Sequence, residues 1–140
     1  MFNVCASHFD ASGNADSFIS RSNYLFFMIL LITLTSLFIG GLGKFVTSLP
    51  EESINLPNRS YWLSPERKVE SLKYISNWLQ LFSAGIAVFL CYVHWLVVQA
   101  NSTESKQLES THLYIGLGVM LVALIVGIIS MISRFRIDPD

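Results

Sequence analysis

Two long runs of this sequence contain no charged side chain, and they constrain the fold more than any other feature. Tyr24 to Gly43 covers twenty residues and Leu113 to Ser133 covers twenty-one, and each run holds twelve large aliphatic or phenylalanine side chains. A helix needs about 20 apolar residues to cross the hydrocarbon core of a bilayer, where charged side chains are costly. Both runs therefore predict transmembrane helices.

A third segment, Ile75 to Ala100, is also long enough to cross a bilayer, but it carries Gln80 and His94. Polar side chains are tolerated within a span where they face protein rather than lipid. The sequence thus predicts an all-α integral membrane protein, with three transmembrane helices in a small bundle.

The composition agrees with this fold class. Hydrophobic residues make up 52% of the chain and charged residues 14%, whereas about 25% of the residues in a soluble domain are charged. A soluble fold of 140 residues could not bury so much apolar surface, so lipid must cover part of it. The net charge of −1 excludes a nucleic-acid-binding surface, which requires a basic excess.

The distribution of Lys and Arg predicts the orientation. Seven of these residues lie in the long loop with its preceding Lys44 and in the C-terminal tail, and two lie on the other side of the membrane. Because positive charge is retained in the cytoplasm, we expect the N-terminus outside and the C-terminus inside. The predicted segments are an extracytoplasmic segment 1–23, a first span 24–45, a cytoplasmic loop 46–74 with a short amphipathic helix, a second span 75–100, a short outer loop 101–112, a third span 113–133 and a cytoplasmic tail 134–140.

The cytoplasmic loop has the signature of a helix start. Ser64 suits an N-cap, Pro65 suits the first helical position, and Glu66 suits the positive end of the helix dipole. We expect a helix to begin there and to continue into the second span. Trp62 is then expected at the inner membrane interface, with Arg67 near the lipid phosphates.

Each span has one face of small or polar residues. On the second span this face includes Gln80, Ser83 and His94. Lipid gives helices no hydrophobic reason to associate, so close approach at small residues and polar pairing must hold them together. We therefore expect the three faces to meet, within one chain or between copies. The alternative is a polar pathway lined by the same face. The corresponding residues are Thr33, Ser36, Gly40 and Gly43 on the first span and Gly116, Ala123, Gly127 and Ser130 on the third.

The residues that could bind a metal ion are scattered. His8, His94 and His112 share the predicted outer side, but no two of them have the spacing of metal ligands. The segment Asp10 to Asp16 departs from a calcium-binding loop, because Ala15 and Arg21 stand where that loop needs glycine and glutamate. Gly13 and Asn14 predict a turn instead. Cys5 and Cys91 do not form a disulfide or zinc motif. We therefore expect no cofactor, no bound metal and no enzymatic activity.

Two stretches resemble a known family. The segment His8 to Arg21, HFDASGNADSFISR, precedes an apolar helix and is similar to the domain of unknown function 1648. That domain occurs in bacterial membrane proteins, including the N-terminal part of SdpI-type immunity proteins. The segment Asn55 to Arg67, with its YWL and PER motifs, resembles a loop in uncharacterised members of this group.

The sequence departs from the family in its first residues. Family members normally carry an apolar helix before the His-Phe pair, whereas Met1 lies only seven residues before His8. From the resemblance we would therefore expect a fragment or a late start codon. The sequence also lacks the further spans of the longer immunity proteins, which argues against an immunity function.

These observations lead to two functional hypotheses. The first is a non-enzymatic protein of the bacterial cytoplasmic membrane that binds a membrane, envelope or signalling protein, with homo-oligomerisation as an option. The second is a small oligomeric transport subunit that uses the polar face of the second span. The candidate functional residues are His8, Asp10, Gly13, Asp16, Trp62, Pro65, Arg67, Gln80 and His94.

Overall fold

The computed structural model describes residues 3–136. Three helices in it are long and apolar enough to cross a membrane, as the sequence predicts, so the chain is a multi-pass membrane protein. The elements in chain order are strand β1 (Val4–Phe9), strand β2 (Ala15–Ser20), helix α1 (Arg21–Val46), a 3₁₀ turn (Glu51–Ser53), a short helix α2 (Arg59–Trp62), helix α3 (Lys68–Ser102) and helix α4 (Ser110–Arg136).

The fold is mostly helical but not all-α, because the N-terminal segment forms an antiparallel hairpin of β1 and β2. The turn between the strands is built around Asp10, whose carboxylate accepts hydrogen bonds from the amides of Ser12 and Asn14. Gly13 adopts a φ of +85°, a conformation that costs glycine little. The turn was predicted from Gly13 and Asn14, but the strands were not.

Helix α1 follows the hairpin without a linker. The Ser20 hydroxyl accepts a hydrogen bond from the Asn23 amide at 3.2 Å, which caps the helix. The helix has 26 residues, which is about 39 Å at 1.5 Å per residue. It therefore exceeds the roughly 30 Å hydrocarbon core and begins and ends outside it.

Helix α3 runs for 35 residues from the loop into the second span, as expected, but it begins at Lys68 rather than at Ser64. The Ser64 carbonyl accepts from the amides of Arg67 and Lys68, so residues 64–67 form a turn. This turn links α2 to α3, and Trp62 lies against the last turn of α4. That contact outweighs the local preference for a helix start at Ser64.

The three long helices do not share one central contact. Gln80 and Ser83 of α3 face α1, whereas Trp78 and Tyr92 of α3 contact α4. At 3.6 residues per turn these two pairs lie on nearly opposite sides of α3. Within one chain the predicted contact of small-residue faces therefore forms between α1 and α3, whereas Gly116 and Gly127 of α4 pack on aromatic rings. The alternative, contact between copies of the chain, stays a prediction.

The helices have a cap at each end. The hairpin cap consists of residues 3–20 and 103–109, at one end of the helices. The loop cap consists of residues 47–67 together with the last turn of α4, at the other end.

Candidate functional site

Two polar side chains of α3 donate hydrogen bonds to backbone carbonyls of α1. The Gln80 amide nitrogen donates to the Gly40 carbonyl at 2.8 Å, and the Ser83 hydroxyl donates to the Ser36 carbonyl at 3.0 Å. Gly40 and Gly43 permit this approach, because a Cβ at Gly43 would lie 3.1 Å from a backbone oxygen of α3. Two of the polar groups that the sequence singled out thus hold helices together.

His94 has the same structural role near the hairpin end of the bundle. Its Nδ1 lies 3.1 Å from the hydroxyl of Tyr24, and the two rings stack with centroids 5.5 Å apart. Among residues 3–136, no three His, Cys, Asp or Glu side chains come together as metal ligands. His94 is therefore bonded across the α1–α3 contact and is separate from His8.

The hairpin cap brings together the outer candidate residues. His8 and Asp16 face each other across the two strands, with 2.5 Å between His8 Nδ1 and an Asp16 carboxylate oxygen. Their side chains are 71% and 46% exposed, so this pair is available to a partner. Asp10 and Gly13 shape the turn beside it. A cleft of about 200 Å³ lies between this turn and the ends of α3 and α4 next to the hairpin cap.

Asn101, at the end of α3, anchors the hairpin. Its side-chain oxygen accepts from the Ala6 amide at 2.7 Å, and its nitrogen donates to the carbonyls of Ala6 and Val97. The Leu108 amide adds a bond to the Gly13 carbonyl at 2.8 Å. Sequence reasoning missed the anchoring role of Asn101, because nothing local distinguishes a half-buried anchor from an ordinary polar residue at a helix end.

The turn of the hairpin should weaken in acid. Hydrogen bonds to the Asp10 carboxylate, first that from the Asn14 amide, lower its pKa below the ordinary 3.8. A carboxylate with a lowered pKa contributes stability above its unfolded pKa, and this stability is lost as the pH falls through the folded value. The protection of the Asn14 amide against hydrogen exchange, relative to its intrinsic rate at each pH, should therefore fall below about pH 4. The Asp10→Asn variant should not show this acid-dependent step, and a step of equal size in that variant would contradict the assignment.

The loop cap holds an aromatic cluster around Trp62. The indole nitrogen donates to the Phe135 carbonyl at 3.0 Å, and the Trp62 and Phe135 rings meet edge to face with centroids 5.5 Å apart. The Arg134 guanidinium lies 4.9 Å above the Trp62 ring. Trp62 is only 8% exposed and therefore lies in a core. This corrects the prediction that Trp62 lies at the membrane interface or contacts a partner.

The other two candidates of the loop are exposed. Pro65 and Arg67 lie on the turn before α3, and the Arg67 guanidinium covers the Tyr61 ring at 4.1 Å. Lys68 pairs with Glu51 at 2.7 Å and ties α3 to the 3₁₀ turn. The loop cap thus offers Pro65 and Arg67, but not Trp62, to a partner.

Comparison with known proteins adds nothing to these observations. No family model, no curated protein and no solved structure matches the chain. The resemblance to the domain of unknown function 1648 therefore stays a prediction.

Proposed function

We propose that this chain is a non-enzymatic membrane protein that binds a protein partner through its hairpin cap. The observation that carries this proposal is the contrast between the spans and the cap. Gln80, Ser83 and His94 are bonded to the neighbouring helix. The His8–Asp16 pair is exposed and is held on a rigid support.

A rigid support favours binding, because no conformational entropy is then lost in ordering the surface when the partner binds. The side-chain oxygen and nitrogen of Asn101 both form hydrogen bonds to β1, and the Leu108 amide donates a hydrogen bond to the turn. Phe18 is about half exposed beside this polar pair, with the Lys106 ammonium 5.1 Å from its ring centroid. Aromatic side chains are enriched in protein-binding surfaces.

The resemblance to bacterial membrane proteins with the domain of unknown function 1648 supports the same class of function. It suggests the cytoplasmic membrane as the location and a peptide toxin, an envelope protein or a signalling protein as the partner. The Lys and Arg distribution supports a topology with the hairpin cap outside and the loop cap in the cytoplasm.

Site-specific photo-crosslinking in native membranes tests the proposal. A photoreactive amino acid at Phe18 should yield one discrete adduct, and the His8→Ala/Asp16→Ala double variant should reduce its amount at least several-fold. The same photoreactive amino acid at Leu37, which is exposed on α1, serves as the lipid-facing control. The absence of a discrete adduct at position 18, or an adduct unaffected by the double variant, would contradict the proposal.

The Arg67→Ala variant tests which of the two caps binds the partner. If the hairpin cap binds the partner, this exposed loop variant should leave the adduct at position 18 unchanged. An adduct lost in Arg67→Ala but retained in the double variant would move the binding surface to the loop cap.

The transport hypothesis has less support, because a polar path needs side chains that are free to contact the solute. His94→Leu removes the bond to Tyr24 and distinguishes the two hypotheses. In a transporter it should abolish flux, whereas in a partner-binding protein it should leave the adduct at position 18 in place.

A further inference from the structure

A slot of about 790 Å³ lies between α3 and α4 in the middle of the spans. Two aromatic side chains of α3 hold the helices apart at its ends. Trp78 lies against Gly127 and donates to its carbonyl, and Tyr92 lies against Gly116 and donates to the His112 carbonyl. Between these two rings the lining contains small residues, among them Gly85 and Ala123.

The chemistry of the slot is that of a hydrocarbon site. The only side-chain N or O atoms among its lining residues belong to Trp78 and Tyr92, and both are already bonded to carbonyls of α4. A polar ligand would lose its hydration there without gaining a hydrogen bond. An apolar ligand loses nothing, because every remaining side chain of the lining is apolar.

The width of the slot excludes a helix. At Gly127 and Gly116 the backbone of α4 rests directly on an aromatic ring, so the gap is about one side chain wide. A helix with its side chains is about 10–12 Å across and would only lie over the opening. An extended acyl chain fits the gap. Gly116 to Gly127 is about 16 Å along α4, close to half of a roughly 30 Å hydrocarbon core.

The charged side chains near the slot indicate which class of lipid binds and from which leaflet it enters. Arg134 lies seven residues beyond Gly127, on the same face of α4 and about 10 Å further towards the loop cap. Its guanidinium is partly exposed and lies 3.3 Å from Glu70, whose side chain is 78% exposed, so this ion pair is weak. Lys73 and Arg136 are exposed at the same end. Towards the hairpin cap the nearest charged side chain of α4 and its preceding loop is Glu109, which repels a phosphate.

We propose that the slot binds one acyl chain of an anionic phospholipid from the leaflet on the loop-cap side, with the phosphate beside Arg134. A chain that begins beside Arg134 reaches the level of Ala123, which is eleven residues or about 16 Å away. That level is the middle of the slot, where nothing lies within 4 Å of a Cβ added to Gly85. The bound chain thus occupies the part of the slot nearer the loop cap.

Trp78 reports on this site, because its ring forms part of the lining. Its fluorescence is measured in the full chain carrying Trp95→Phe, reconstituted into vesicles that contain phosphatidylglycerol or phosphatidylcholine with brominated acyl chains. Trp62 is buried in the loop cap, and because Arg134 lies over its ring, the two lipids are compared within each variant. One cationic side chain near the surface favours an anionic lipid by about 1 kcal/mol, so half-maximal quenching should need about fivefold less phosphatidylglycerol than phosphatidylcholine.

Two pairs of variants complete the test. Arg134→Gln should abolish the fivefold preference, whereas Arg67→Gln should keep it. Gly85→Leu fills the slot and should lower maximal quenching by phosphatidylglycerol, whereas Gly118→Leu, on open helix surface outside the slot, should not. Leucine is a better helix former than glycine, so neither leucine variant should weaken its helix.

Equal quenching curves for the two lipids in the parent protein would overturn the proposal. So would a preference that survives Arg134→Gln, or a Gly85→Leu variant that behaves like Gly118→Leu. If Gly85→Leu instead dissociates an oligomer that Gly118→Leu leaves intact, a second copy covers the slot and the lipid proposal is wrong.

Discussion

Replacing Trp62 with alanine should lower the free energy of unfolding by about 3–5 kcal/mol, the usual cost of removing a large aromatic side chain from a core. The variant loses the contact with Phe135, the hydrogen bond to the Phe135 carbonyl and the support under Arg134. The Phe135 ring then keeps the Tyr74 ring of α3, at 5.8 Å between centroids, but loses its contact with the Trp62 ring. Denaturant titration in detergent micelles, followed by tryptophan fluorescence and by helical circular dichroism, measures the change.

Two control variants divide this effect into its parts. Trp62→Phe keeps most of the ring packing but leaves the Phe135 carbonyl without its donor, and should cost about 1–3 kcal/mol. Arg67→Ala changes an exposed side chain of the same loop and should cost less than about 1 kcal/mol. A Trp62→Ala variant as stable as Arg67→Ala would show that Trp62 is not part of a core.

Replacing Gly13 with alanine should detach the turn of the hairpin from the loop before α4. A φ of +85° is strained for alanine, at a cost of roughly 1–3 kcal/mol. The added Cβ would also overlap the Leu108 carbonyl and crowd the Ser110 hydroxyl, so the hairpin must move as well. Hydrogen exchange of the Leu108 amide, which donates to the Gly13 carbonyl, should accelerate at least tenfold.

Gly118→Ala is the matched control for this variant, because nothing lies within 4 Å of a Cβ added at Gly118. It should leave the exchange of the Leu108 amide unchanged and should stabilise α4 slightly. If Gly13→Ala leaves that amide as protected as Gly118→Ala does, the contact between the turn and Leu108 is not part of the native state.

The hairpin was missed for a physical reason. Sequence patterns identify strands by the alternation of side chains between two faces. The register of β1 against β2 shifts between Ala6 and His8 and again between His8 and Phe9. Such irregularities interrupt the alternation, so the segment looked like an irregular polar stretch around a turn. Asn101, 95 residues from Ala6, supplies the contact that holds the strands in place.

Trp62 shows the same limit at the other cap. An aromatic residue beside a span suits both the membrane interface and a protein core, and its neighbours in sequence do not separate the two. The contact with Phe135, which is 73 residues away, places Trp62 in a protein core. The small-residue face of α4 was similarly ambiguous, since glycine admits either a backbone or an aromatic ring. Trp78 and Tyr92 decided in favour of rings.

By itself the sequence determined that the chain crosses a membrane three times, because the energetic cost of charge in hydrocarbon acts on each segment separately. It also determined the turn at Gly13, since a positive φ is a local preference. Only the tertiary structure decided which polar groups are buried, where the hairpin docks and where α3 and α4 stay apart. Those outcomes depend on contacts between residues far apart in the chain, and no local pattern encodes them.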